Sequence, residues 1–140
     1  MTDPEEIIFN FLDSKGLFNQ WADRFSNTQN SPIVQLRWFD ENKLNDSDMC
    51  LLIRNVSPGG GSRFAQVTQY IMAVFGAVGQ SNVIARDYMN LIMLAMQKFT
   101  HSEQIIAIDP IGGTGGPYKT EKGRFTYDIN YTVKIDTQLV

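Results

Sequence analysis

A single cysteine, Cys50, and a single histidine, His101, occur in 140 residues. One cysteine excludes an internal disulfide, which fits a reducing compartment. In MCLLIRN the thiol sits among apolar neighbours and reads as a core group, not a nucleophile. One histidine and one buried cysteine do not make the usual structural zinc set. His101 follows the longest helical pattern, where an imidazole interacts favourably with the helix end. A surplus of positive charge is missing too. The formal net charge is -3, so there is no broad basic footprint for nucleic acid or an anionic membrane. The most apolar stretch, YIMAVFGAV, is too short to span a bilayer. The start, MTDPEEIIFNF, carries acid before its apolar residues and does not read as a secretory signal.

Phosphate-binding loops are also absent in any complete form. IGGTGGPYKTEKG, residues 111–123, follows a strand pattern and is rich in glycine. A phosphate cradle needs a helix directly after the glycines, so that free backbone N–H groups meet the anion. Here Pro117 and Tyr118 intervene before Lys119 and Thr120, and the segment that follows alternates with period two. GxGxxG does not occur, and SPGGGS precedes a segment that also reads as a strand. Asp40, Glu41, Asp46 and Asp48 lack the central glycine and terminal Glu of a helix-loop-helix calcium site. They read as a solvated acidic loop or an electrostatic contact surface. Nothing in the sequence brings Asp109 and Asp128 together. The residues thus indicate no catalytic group, no metal site and no cofactor.

What is present is a clear order of elements. Pro4, Glu5 and Glu6 suit a first helical turn after a Thr2 or Asp3 cap. Ile7, Ile8, Phe11 and Leu12 then recur at helical spacing until Gly16. Residues 17–31 are ambiguous between a short helix around Trp21 and Phe25 and an irregular link. IVQLRWF alternates, with Val34, Leu36 and Trp38 on one side, and predicts a strand. MCLLIRNV predicts a central strand before three consecutive glycines. RFAQVTQYIMAVFG fits either a helix or a strand, and its β-branched and aromatic content favours the strand. After a Ser81 cap, Ile84, Tyr88, Leu91, Ile92, Ala95 and Phe99 form a wide helical stripe, to which Met89, Met93 and Met96 add adaptable bulk. EQIIAIDP predicts a strand ended by Pro110. RFTYDINYTVKI sets Phe125, Tyr127, Ile129, Tyr131, Val133 and Ile135 against Arg124, Thr126, Asp128, Asn130, Thr132 and Lys134, as a sheet with one packed face requires.

These elements predict one α+β domain over residues 1–140. It has a largely antiparallel or mixed sheet of four to five strands with two helices on one face, in the order α-β-β-β-α-β-β. A chain of this size buries roughly two thirds of its unfolded surface. Between the elements lie long polar connections, which compact domains keep when they carry contacts. The glycine-rich one, over 111–123, is expected to be a mobile hairpin tip, and deleting its IGGTGG is expected to keep the fold but impair assembly. This pattern suits a binding or assembly protein better than an enzyme.

The element order resembles the tail terminator proteins of long-tailed bacteriophages. It runs from the N-terminal helix through IVQLRWF and MCLLIRNV to QVTQYIMAVFG. That strand turns into the helix SNVIARDYMNLIMLAMQKF, and the hairpin GPYKTEKGRFTYDINYTV closes the series. The resemblance supports the strand reading for residues 66–75. It implies a structural virion-tail protein, assembled in the host cytoplasm as a hexameric ring. Such a ring caps the tail tube, ends its polymerisation and offers the head-joining surface. The implied partners are the chain itself, the tail tube protein and a head-completion or connector protein. No membrane and no sequence-specific nucleic acid are implied, although DNA passes through such a lumen. Under this resemblance the expected contacts are Arg54, Arg63, Gly112, Gly113, Gly115, Gly116, Tyr118, Lys119 and Lys122. Competing readings are a neck or tube-like subunit, a small nucleotide-binding protein or enzyme, and a peptide-binding adaptor.

Overall fold

A computed structural model describes residues 4–60, 65–99 and 105–136. The elements are α1 (Pro4–Ser14), β1 (Trp21–Ala22), β2 (Thr28–Gln29), β3 (Ile33–Leu36) and a 3-10 turn at Glu41–Lys43. They continue with β4 (Cys50–Gly60), β5 (Ala65–Phe75), α2 (Asn82–Gln97), β6 (Ile105–Lys119) and β7 (Phe125–Asp136). Five strands form one sheet in the order β3-β4-β5-β7-β6, with β3 parallel to β4 and every other pair antiparallel. This is the α+β architecture expected, extended by the small β1-β2 pair. The ambiguous link is therefore not helical where β1 and β2 lie. Its Trp21 is buried and packs edge-on against Tyr88, with ring centroids 5.2 Å apart. The contested segment is strand β5.

The strand register lines apolar residues into rows across the inner face. Leu51 pairs with Val74 and Val74 with Tyr127, while Ile53 pairs with Met72 and Met72 with Ile129. All six are buried, as are Tyr131, Val133 and Ile135 further along β7. The α1 residues Ile7, Ile8, Phe11 and Leu12 close the same core with Ile84, Tyr88, Met89, Ile92 and Met96 of α2. Each fully buried Ile, Leu or Met side chain contributes about 1.5–3 kcal/mol relative to exposure. Both helices thus have a sequence cause, a 3.6-residue stripe that needs this sheet face. Ser81 starts α2 by accepting a 3.2 Å bond from the Val83 N–H.

Three expectations need correction. IVQLRWF leaves the sheet after Leu36, because Arg37 adopts φ +75°, a conformation that terminates the pleat. Trp38 consequently lies outside the core at 77% exposure, and Phe39 turns back to stack on Phe75 at 3.7 Å. Pro110 does not end its strand. β6 is an edge strand, where a missing N–H is tolerated, and it continues through Pro110 opposite Tyr131. Lastly, residues 111–123 are not a long loop. β6 runs to Lys119 and only a tight turn at 120–124 joins it to β7, with Gly123 N–H bonded to Thr120 O at 2.9 Å.

Candidate assembly surfaces

The glycine-rich stretch stays in the sheet by bulging. From Ile111 to Gly115 it advances four residues while β7 advances two, from Asn130 to Asp128. From Gly115 to Tyr118 it advances three against two. Extra residues in one strand bend it and deepen its twist. Two glycines are required here for space. A Cβ on Gly115 would meet Asp128 Oδ1 at 2.5 Å, and one on Gly116, at φ +108°, would meet Thr126 O at 2.6 Å. Gly115 and Gly116 therefore have a reason within the fold to be glycine, their close approach to β7.

Bending carries Gly112 and Gly113 to the side of α2, and Thr114 Oγ1 lies 3.4 Å from Met93 Sδ. Between β6 and the C-terminal half of α2 an apolar cleft of about 260 Å³ opens. Met93 and Met96 form its helix wall, Ile108 and Pro110 its strand wall, and Ile129 and Tyr131 its floor. Gln97 lines it as well, and Gly112 and Gly113 border it without adding side chains. Beyond it the hairpin presents Tyr118, 56% exposed, and Lys119, whose Nζ lies over Phe125 at 4.9 Å. Lys122 is exposed in the turn.

The turn itself is held by a group that alternation had assigned to the polar face. Arg124 is 0% exposed. Its Nη1 donates to Asp48 O and, at 3.1 Å, to Gly76 O, while Nη2 donates to Asn45 O at 2.8 Å. Its Nε lies 2.9 Å from Glu41 Oε2, and that oxygen also accepts from Thr120 Oγ1 at 3.0 Å. The acidic loop is thus more than a solvated surface. Glu41 and the 45–48 backbone form the socket of a buried cation and lock the hairpin end against it. Among the described residues no three His, Cys, Asp or Glu side chains are placed to share a metal. Cys50 is the core thiol expected, and burial pushes it up to about 12.

At the opposite edge of the sheet, beyond β4, lies the Trp38 corner. Arg37 N–H donates to Ile53 O at 2.9 Å and Trp38 N–H to Leu36 O at 3.0 Å. Arg37 Nε lies 3.7 Å from the buried Glu5 carboxylate. Gln35 clamps the returning chain through both backbone groups of Asp40, at 2.8 and 3.0 Å. Arg54 is exposed beside this corner. Of the expected contact residues, the structure gathers Gly112 and Gly113 at the cleft and Tyr118, Lys119 and Lys122 at the hairpin end. Arg54 lies three strands away, and Arg63 falls outside the described residues, as does His101. The outward Trp38 and the buried Arg124 were not anticipated, while Met93 was expected as adaptable packing at a core or subunit surface. The one available signal was RWFD, where an arginine and an acid bracket two aromatics and disturb the strand pattern.

No individually curated protein matches the chain. A family model described as phage tail termination protein matches residues 6–137. That span takes in both helices, the whole five-stranded sheet and the cleft. The chain therefore belongs to the phage tail termination protein family, and it is a structural tail assembly protein.

Proposed function

We propose that copies of this chain close into a homohexameric ring that caps the tail tube. The ring ends tube polymerisation and presents the surface to which a head-completion or connector protein joins, leaving a lumen for DNA. The family match across residues 6–137 carries this reading. The architecture supports it, since a rigid sheet with its helices on one face leaves two edges and the hairpin end free for contacts. Arg54, Tyr118, Lys119 and Lys122 are exposed and serve as contacts to neighbours or to the tube, with Gly112 and Gly113 bordering the cleft. Light scattering and negative-stain imaging test the ring. The expected outcome is discrete six-membered rings that stop growth when added to polymerising tube protein. Open stacks would instead make the chain a tube-like subunit, and a monomer at high concentration would end the ring reading.

A further inference from the structure

The two edges of the sheet are complementary to one another. One carries Trp38, a large apolar side chain almost wholly in water; the other carries the apolar cleft of Met93, Met96, Ile108 and Pro110. We propose that Trp38 of one copy seats in the α2-β6 cleft of the next, and that this head-to-tail contact joins the ring. The inference rests on the ring reading and names the joint that it requires.

Four observations select a second copy as the occupant. First, the cleft has room for one large aromatic ring, and methionine sulfur packs favourably against aromatic edges. Second, the corner is preorganised. Arg37 is held at φ +75° by the Ile53 carbonyl and the Glu5 carboxylate, so little freedom is lost when Trp38 docks. Third, the charges match. Arg54 at the Trp38 edge and Asp109, which lies on β6 between the cleft residues Ile108 and Pro110 but on the opposite face of the strand, are both exposed, and neither has an ion pair within the described residues.

The fourth observation is level. Arg37 bonds to Ile53, and the next β4 residue, Arg54, pairs in turn with Ile71, Asn130 and Ile111. That row ends between Pro110 and Gly112, at the cleft. Knob and socket therefore stand at the same height on opposite edges. A head-to-tail contact closes into a ring when its rotation closes without translation along the axis, and a level knob and socket remove that translation in a ring whose strands run along the axis. Direct strand pairing between copies is disfavoured. β3 has only four residues, and β6 carries Pro110 and three register shifts, the usual devices that block edge pairing. Side chains must then make the joint.

Iodide quenching of the unmodified protein reads the contact, because Trp21 is buried and Trp38 is the quenchable indole. Across a concentration series, Trp38 should become protected in step with ring formation by light scattering. Trp38→Ala should weaken self-association about 30-fold or more, the scale of a buried aromatic anchor, with an unchanged melting temperature. Met93→Glu, on the other surface, should do the same. Arg54→Glu should weaken it less, and Arg54→Glu with Asp109→Arg should restore part of the loss. Rings that form with Trp38 still fully quenchable, or that form equally well in Trp38→Ala, overturn this joint while leaving the ring intact. A protein that remains monomeric overturns both.

Discussion

Arg124 shows how one residue can decide the state of a whole surface. Three backbone carbonyls accept from a guanidinium that has no access to water, and the Glu41 carboxylate supplies its counter-charge. Removing one side of a buried pair leaves the other charge desolvated and uncompensated, at a cost of about 3–5 kcal/mol. Arg124→Met should therefore lower the urea unfolding free energy by that amount. Glu41→Gln should also be clearly destabilising, because it leaves the fully buried guanidinium without its counter-charge. Nothing in the sequence distinguished Arg124 from Thr126 or Asp128, since period-two alternation reports the face of a strand and not what covers it. The covering segment is the loop around Asn45 and Asp48, brought there by long-range packing. Trp38 is the converse case. Its alternation pointed inward, and a single positive φ at Arg37 turned it out.

At the scale of elements, helices and strands were legible wherever burial imposed a period. Ile7, Ile8, Phe11 and Leu12 marked α1, the Ile84–Met96 stripe marked α2, and β7 alternates along its length because one face is core. β6 was only half legible. Its first residues alternate, but its second half contains four glycines and two prolines count against a strand anywhere except an edge. Position at the sheet edge, with bulges that absorb surplus residues, is a property of the assembled sheet. The consequence is a hairpin paired almost to its end where a long loop was expected. Backbone amides of β7 opposite Gly115–Lys119, such as that of Asp128, should exchange slowly with deuterium in the free protein. Gly116→Ala should speed that exchange and lower the melting temperature, since a Cβ there meets the Thr126 carbonyl in a conformation disfavoured for any L side chain. Rapid exchange along the hairpin in the unmodified protein would restore the mobile-tip picture.

On the scale of the whole molecule, polar ties fasten the irregular link to the helix-sheet body. Arg24 reaches Asp87 of α2 through its side chain at 2.6 and 2.8 Å and through its backbone N–H at 2.9 Å. Asp23 accepts from Phe25, Asn27 and Gln29 and so closes the β1-β2 turn. Tyr88 Oη donates to Leu17 O at 2.6 Å. Burial acts to raise both carboxylates, yet bonds from Gln29, Asn27 and Phe25 at Asp23, and from Arg24 at Asp87, bring each below the ordinary 3.8. A carboxylate depressed in the folded state contributes its stability fully above its unfolded value, and that contribution disappears as pH falls through the folded one. The melting temperature should therefore hold on acidification until about pH 4 and decline below it. Asp87→Asn should lower the plateau and make the decline shallower, because one of the two groups that titrate is gone while Asp23 remains. Added salt should shrink the difference between the two proteins, as Arg24 is half exposed and its attraction is screened. An Asp87→Asn protein whose acid decline matches that of the unmodified chain would show that the Arg24–Asp87 pair adds nothing to the pH dependence.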